Sequence, residues 1–372
     1  MRLATFNVEN MFERAKVMNL ETWTLGATVL NDFKRLNELI QNEIYTETIK
    51  FELLEIMERN VGLLTAGKST YIQLRDIRGK FIAKPKNKPP IIAASSRHEW
   101  IGWFELVKES INEKAIENTA RIIGQLEADV LCVIEAENRT CLKHFNNDVL
   151  PHVQVSPFKH VMLIDGNDER GIDVGILTKD SYQLIGIYSH VDDSDSTGTI
   201  FSRDCPEYKI KTMQDNVLLV LVNHFKSKGY GNSADSNEKR RRQAKRVRDI
   251  YEERLADGFD YIAVVGDLNA TPDESSMDPL IRESSSLIDI MVHPKFLGDD
   301  RPGTHGNGTA SAKLDYILMS PKLSEKVTAG GIERRGVWGG THGTLFFPHL
   351  PSIEAAKDAA SDHAALWVDL AI

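Results

Sequence analysis

Short apolar runs that stop on a carboxylate, an amide or a histidine recur along this chain. They limit what it can fold into. Residues 261–265, "YIAVV", end at Gly266, and Asp267 and Asn269 follow at once. "RLATF" (2–6) leads to Asn7 and Glu9, "DVLCVI" (129–134) to Glu135, and "VLLVLVN" (217–223) to His224 and Lys226. "LDYILM" (314–319) carries Asp315, and "AALWVDL" (364–370) follows Ser361, Asp362 and His363. Runs this short and rich in Val, Ile and Leu read as central strands covered on both faces. Between them, residues 112–126 and 237–255 place their apolar side chains at helical spacing, with Asn237 as the expected N-cap of the second. Strands mixed with helices predict layered α/β structure.

In open α/β sheets ligands bind beyond the strand ends. Carboxylates gathered there repel one another unless a cation neutralises them. An all-oxygen cluster selects Mg²⁺ or Mn²⁺. Such a site suits phosphate esters, where charge on the phosphoryl oxygens must be offset while water attacks. Each motif alone has an ordinary reading: Asp-x-Asn also makes an Asx turn, and a lone histidine is usually a packed or solvated residue. The ordered conjunction carries the argument.

The formal charge is −9 and the pI about 5.7, which excludes a polybasic nucleic-acid coat. A local patch or a bound cation can still reverse the field. No span reaches the ~18 apolar residues of a membrane helix. The first residues turn polar too early for a signal peptide, so a cytoplasmic location is expected. Cys132, Cys141 and Cys205 form no C-x-x-C pair, against a disulfide framework or a zinc knuckle.

Residues 13–111 follow another pattern. The stretch 31–60 is helical and acidic, whereas 68–97 holds eight Lys or Arg against one acid, Asp76. "YIQLRDIRGKFIAKP" predicts a hairpin turning near Arg78-Gly79, followed by an exposed "KPKNKPP" connector. "GLLTAGKS" (62–69) has the letters of a Walker A loop, but a helical pattern precedes it and a strand pattern follows, the reverse of the required order. "KRRRQAKRVR" (239–248) could track a phosphate backbone but reads first as the solvated face of a helix, and the basic segment 68–97 is the better candidate for DNA contact.

Taken in order, "TFNVEN", "VIEAEN", "RGIDVGIL", "VNHFKSKG", "VVGDLNATPD", "LDYIL" and "SDHAAL" resemble the endonuclease/exonuclease/phosphatase superfamily. The resemblance covers residues 1–12 and roughly 112–372. It implies a four-layered α/β sandwich: two mixed β-sheets face to face with helices outside. Residues 13–111 become a mainly helical insertion, carrying the basic hairpin and shaping or covering the cleft. The implied chemistry is phosphoester hydrolysis with Mg²⁺ or Mn²⁺. By position, Glu135 resembles the principal metal ligand, helped by Glu9 and Asp362. Asn7 orients Asp267, which positions or deprotonates water. Asn269 donates to a phosphoryl oxygen. His363, oriented by Asp315, contacts the scissile phosphate and shares with Asp267 the candidacy for general base. His224 is a second active-site histidine with Asp173 as its acidic partner, and Arg170 and Lys226 hold substrate phosphate. His305 and His342 border the cleft without a fixed place. The leading expectation is a nuclease acting on DNA. The alternatives are a phosphatase or phosphodiesterase for a small molecule or lipid headgroup, and an inactive binding module.

Overall fold

Every apolar run folds as a strand, and several strands reach into the polar residues that follow. The computed structural model describes residues 1–20, 23–168, 170–228, 233–341 and 344–372. The chain divides into two units: Met1–Phe12, Ile111–Lys228 and 233–372 form the first, and Glu13–Ser110 the second.

The two large sheets of the first unit use β1 (Arg2–Asn7), β2 (Val130–Ala136), β3 (His160–Ile164), β4 (Asp173–Thr178), β5 (Gln183–Tyr188), β6 (Glu207–Lys211) and β7 (Val217–His224). They continue with β8 (Tyr261–Asp267), β9 (Ile288–Asp289), β10 (Phe296–Leu297), β11 (Asp315–Met319), β12 (Val327–Glu333) and β13 (Ala365–Leu370). One mixed sheet runs β10-β12-β13-β1-β2-β4-β3, the other β5-β6-β7-β8-β11-β9. Their inner faces share one core, in which Leu3, Val130, Ile134 and Ile176 meet Tyr208, Val220, Val265 and Ile317. Both outer faces are covered as well. Helix α1 (Glu113–Leu126) sets Ala120, Ile122, Ile123 and Leu126 in the cluster on the first sheet. Helix α2 (Ser233–Ala256) sets Ala244, Val247, Ile250 and Tyr251 in the cluster on the second. The order helix, sheet, sheet, helix is the four-layered sandwich. Asn112 caps α1, its side chain accepting the Lys114 amide at 2.9 Å. Helix α2 begins at Ser233, so Asn237 lies inside its first turns and is not the cap.

The second unit has its own core, built from Leu30, Phe33, Leu36, Ile56, Phe81, Trp100 and Phe104 among others. Helices Trp23–Ile40 and Glu47–Arg59 share it with three two-stranded ribbons, so the insertion is mixed rather than mainly helical. The expected hairpin at Arg78-Gly79 does not form. Ile72–Arg78 pairs instead with Ile101–Leu106, which sets Ile72 opposite Leu106 and Leu74 opposite Phe104. Those apolar pairs bury more surface than the Lys-rich continuation offers. The tight turn sits in the connector, where Lys88 N–H bonds Pro85 O at 3.2 Å between the short strands Ile82–Ala83 and Ile91–Ile92. The Walker-like letters span a single helical turn, Leu63–Ala66, with a helix before it and a strand after.

One glycine fixes how two central strands meet. Gly266 has φ +124°, and a Cβ there would lie 2.0 Å from the Asn223 carbonyl oxygen of β7. Replacing Gly266 with Ala is therefore expected to lower unfolding free energy by about 2–4 kcal/mol, from backbone strain plus a parted ladder. Urea denaturation at fixed pH measures it, and an unchanged midpoint would refute the close approach.

Candidate active site

Strand register assembles the site. β7 and β8 run parallel with His224 opposite Asp267, and β8 and β11 run antiparallel with Asp267 opposite Asp315. Three polar residues thus form one row at the edge of the second sheet. The first sheet supplies its own row. β1 and β2 run parallel with Asn7 opposite Ile134, one residue before Glu135. Glu135 sits on a bulge: β4 pairs Asp173 with Ala136 and then Val174 with Ile134, leaving Glu135 unmatched. Its φ is +68°. A bulge of this kind re-aims a side chain, here at an expense of roughly 1–3 kcal/mol for a non-glycine residue in the left-handed region. Glu9 and Asn269 share that region, with φ of +52° and +50°.

Asp267 is held from several sides. Asn7 Nδ2 donates to its Oδ2 at 3.2 Å, Asn269 Nδ2 to the same oxygen at 3.1 Å, and the Asn269 amide to Oδ1 at 2.8 Å. His224 Nε2 lies 3.4 Å from Glu135 Oε1 and 3.6 Å from Asp267 Oδ2. His363 Nδ1 bonds Asp315 Oδ2 at 2.8 Å, and its Nε2 stands 3.9 Å from Asp267 and 3.8 Å from Asp362. Ser361 locks the segment: its hydroxyl donates to Asn7 O at 2.7 Å and accepts the His363 amide at 2.9 Å. Glu9 accepts the Asp362 amide at 3.1 Å. Among the described residues, three groups set ligand atoms within 4.8 Å of one another: Glu135 with His224 and Asp267; Asp267 with Asp315 and His363; and Asp362 with His305 and His363.

Burial decides the electrostatics. It pushes the Glu135 carboxyl up, opposed by Arg170 and reinforced by Asp362. Burial likewise pushes Asp267 up, opposed by His363 and reinforced by Asp315 and Glu135. Burial works against a charged His363, yet Asp315, Asp362 and Asp267 outweigh it and hold the imidazole well above its ordinary value. His224 goes the other way. Burial, then the charges of Arg170, His363 and Lys226, hold it well below 6.5, as a neutral ring.

One expected contact is not made. Asp173 is not the partner of His224: its Oδ1 accepts the Gly166 amide at 2.7 Å, and His224 Nδ1 is buried without a hydrogen bond. Their strands lie in different sheets. The Asn269 carboxamide is engaged within the protein. It donates to Phe225 O at 3.2 Å and to Asp267, so it orients the aspartate. Arg170 grips Asp168 through Nε and Nη2 while its charge reaches Glu135 and His224. Lys226 is anchored through its amide to Gln243 Oε1 at 2.9 Å. His342 lies outside the described residues.

Thr304 carries no signal in the sequence, and His305 only that of its Gly-rich surroundings. Thr304 is fully buried and donates to Asp315 Oδ2 at 2.6 Å, so Asp315 is fixed between a hydroxyl and an imidazole. His305 Nε2 lies 3.2 Å from Asp362 Oδ2, with its ring 4.7 Å from that of His363. The Gly-Thr-His-Gly run at 303–306 was the available hint. Its place comes from a bridge between His305 and His363.

Comparison with known proteins bears on this constellation. The model of the Endonuclease/Exonuclease/phosphatase family matches residues 104–292. Among solved structures, an endonuclease/exonuclease/phosphatase from Bacteroides vulgatus is 15% identical, covering 70% of this chain and 91% of its own, at a TM-score of 0.49. A mannosyl-6-phosphatase from Bacteroides thetaiotaomicron is 18% identical, covering 70% and 92%, at 0.47. The human nocturnin catalytic domain with bound sulfate is 16% identical, covering 70% and 87%, at 0.45. The search of curated proteins returned no match. The chain belongs to the endonuclease/exonuclease/phosphatase family, whose members are divalent-metal-dependent phosphoester hydrolases.

Proposed function

We propose that this protein hydrolyses a phosphodiester by direct attack of water, that its cation is Mg²⁺ or Mn²⁺, and that DNA is its favoured substrate. The observation that carries the chemistry is the fixed carboxylate of Asp267, gripped by Asn7 and Asn269 and within 4 Å of both His224 and His363. A buried carboxylate with a raised proton affinity is a base suited to neutral pH. Asp267 takes the proton of the attacking water. His363, kept charged by Asp315, faces the phosphoryl group and offsets the negative charge that develops there. His224 and the charges of Arg170 and Lys226 hold the remaining phosphoryl oxygens. The DNA preference rests on the motif resemblance and on these local cations in a chain that is acidic overall.

The residues fit a hard divalent cation. Glu135 and Asp267 bring two carboxylates beside one imidazole, and burial raises the proton affinity of both, a penalty that a bound cation would relieve. Glu135, with Asp267 beside it, would hold the ion, and Glu9 and Asp362 complete the acidic rim. A bound ion supplies Lewis-acid polarisation of the phosphoryl oxygens.

Changing Asp267 to Asn is expected to leave the thermal transition intact and lower kcat by about 10²–10⁴-fold. Turnover near that of the parent protein would remove the mechanism. A panel of plasmid DNA, single-stranded DNA, RNA and small phosphate esters, run with Mg²⁺ or Mn²⁺ and again with EDTA, tests the substrate. DNA cleavage abolished by EDTA is expected; exclusive turnover of small esters would replace the DNA assignment.

In EDTA, stability should fall as pH rises above 6.5. Glu135 and Asp267 are pushed up by burial, and Asp173 is raised to about 7, so in that window the folded carboxyls hold more protons than the unfolded chain. His363, raised by its carboxylates, acts in the same direction. His224, kept neutral, acts oppositely, but only below its ordinary 6.5. Thermal scans from pH 6.5 to 8.5 should show a declining Tm, with a shallower decline for Asp267→Asn. A rising Tm would contradict the assigned directions.

A further inference from the structure

We propose that a pocket beside the reaction centre, lined by Lys228, Ser236, Asn237, Arg240, Glu274 and Ser275, binds a second phosphoryl group of the substrate. The inference rests on the phosphoester reading above and extends it to substrate selection.

The pocket encloses about 380 Å³, toward the small end of ligand sites, which run roughly 300–1,000 Å³. Its walls come from three places. Lys228 lies on the segment that leaves β7 after His224. Glu274 and Ser275 lie on the segment that leaves β8 after Asp267 and Asn269. Ser236, Asn237 and Arg240 come from the first turns of α2. β7 and β8 are parallel neighbours with His224 opposite Asp267, so both segments depart from the same sheet edge as the catalytic row. Arg240 ties the two places together. Its Nη1 donates to Lys226 O at 3.1 Å, and Asp267 is among the charges acting on its guanidinium.

The lining has the chemistry of an oxyanion site. Arg240 is only 4% exposed, yet its Nε has no hydrogen-bond partner. A buried guanidinium N–H left without an acceptor is costly unless a ligand supplies one. Glu274 is the one acidic group in the lining, against two cations. Lys228 pairs with its Oε1, which also accepts the Thr271 amide at 2.9 Å, while Arg240 Nη2 stands 3.6 Å from its Oε2. The pocket therefore keeps net positive charge, with one carboxylate already seated between its cations where an anion would go. A guanidinium and an ammonium beside a hydroxyl and a carboxamide match a phosphate, which accepts several hydrogen bonds at once. The group is either the neighbouring phosphodiester of a polynucleotide or a terminal phosphate on a small ester.

Two measurements on the full chain test this. The first titrates inorganic phosphate calorimetrically in EDTA, so that only protein groups bind it. Lys228→Ala should weaken binding at least tenfold, and Glu274→Gln, which removes the competing charge with the same shape, should tighten it several-fold. A gain on Glu274→Gln is not what a purely structural ion pair would give. The second compares kcat/KM for thymidine 5′-(p-nitrophenyl phosphate), its 3′-phosphorylated counterpart and a pentathymidylate. Lys228→Ala should reduce the preference for substrates with more than one phosphate about tenfold, relative to the single-phosphate ester. A preference shared by the 3′-phosphorylated ester assigns the pocket to a terminal phosphate; one confined to the pentathymidylate assigns it to a neighbouring phosphodiester. Phosphate affinity and substrate preference unmoved by both variants would overturn the pocket, even in an active enzyme. If no ester is hydrolysed while phosphate binding still responds to both variants, the pocket stands and the reaction assignment fails.

Discussion

Like-charged carboxylates buried at the ends of strands are the constraint on which the rest of this structure depends. Glu135 and Asp315 both act on Asp267, and desolvation penalises Glu135 and Asp267 as anions. The protein offsets part of that penalty with fixed donors. Asn7 and Asn269 clamp Asp267, Thr304 and His363 clamp Asp315, and Arg170 opposes the protonation of Glu135. Such donors help only if they cannot drift: Asn7 rides on a paired strand, and Ser361, itself bonded to Asn7, holds the His363 segment. The left-handed backbone at Glu9, Glu135 and Asn269 belongs to the same economy. Each residue turns sharply out of its strand to aim a polar group, and the sheets on either side hold it there.

The same constraint explains how a large insertion leaves the site intact. The first unit is interrupted after Phe12 and resumes at Ile111, and Ile111 N–H bonds Phe12 O at 2.8 Å. The Glu137 carboxylate accepts the Met11 amide at 3.1 Å and the Phe12 amide at 2.7 Å, tying the exit point to the end of β2. Because the ends of the interruption are joined, the parallel pairing of Asn7 with Ile134 does not depend on what is threaded between them. A closed loop end adds only a slowly growing entropic term with length, so the insertion can diverge while Asn7 and Glu135 stay neighbours.

What the sequence made legible follows from this geometry. Strands that end on reactive residues advertise themselves, because burial demands an unbroken Val, Ile and Leu run and the chemistry demands a polar stop. Residues whose role depends on a loop folding back do not. Thr304 reaches Asp315 only because the 303–306 run bridges to the segment before β13, and no period or spacing records such a bridge. Asp173 misled for a related reason. It looks like a partner for a histidine, but β4 and β7 lie in different sheets, and a free backbone amide at Gly166 claims the carboxylate. The ribbon of the second unit was misplaced because a glycine beside basic residues resembles a turn, while its strand found a better apolar partner further along.

His224 shows how the buried environment fixes a role that residue type leaves open. Its Nδ1 is enclosed without an acceptor, whereas Nε2 faces Glu135 and Asp267. A neutral imidazole carries its single proton where an acceptor stabilises it. The carboxylates lie on the Nε2 side, so the Nε2–H tautomer is favoured. In that tautomer the nitrogen facing the centre is a donor and has no lone pair for a cation. In the reading proposed above, His224 would then hold anionic oxygen and the cation would fall to the carboxylates. Such a division would give the metal hard oxygen ligands and leave nitrogen donors for the phosphoryl group, the pairing that suits Mg²⁺ or Mn²⁺ better than a softer ion.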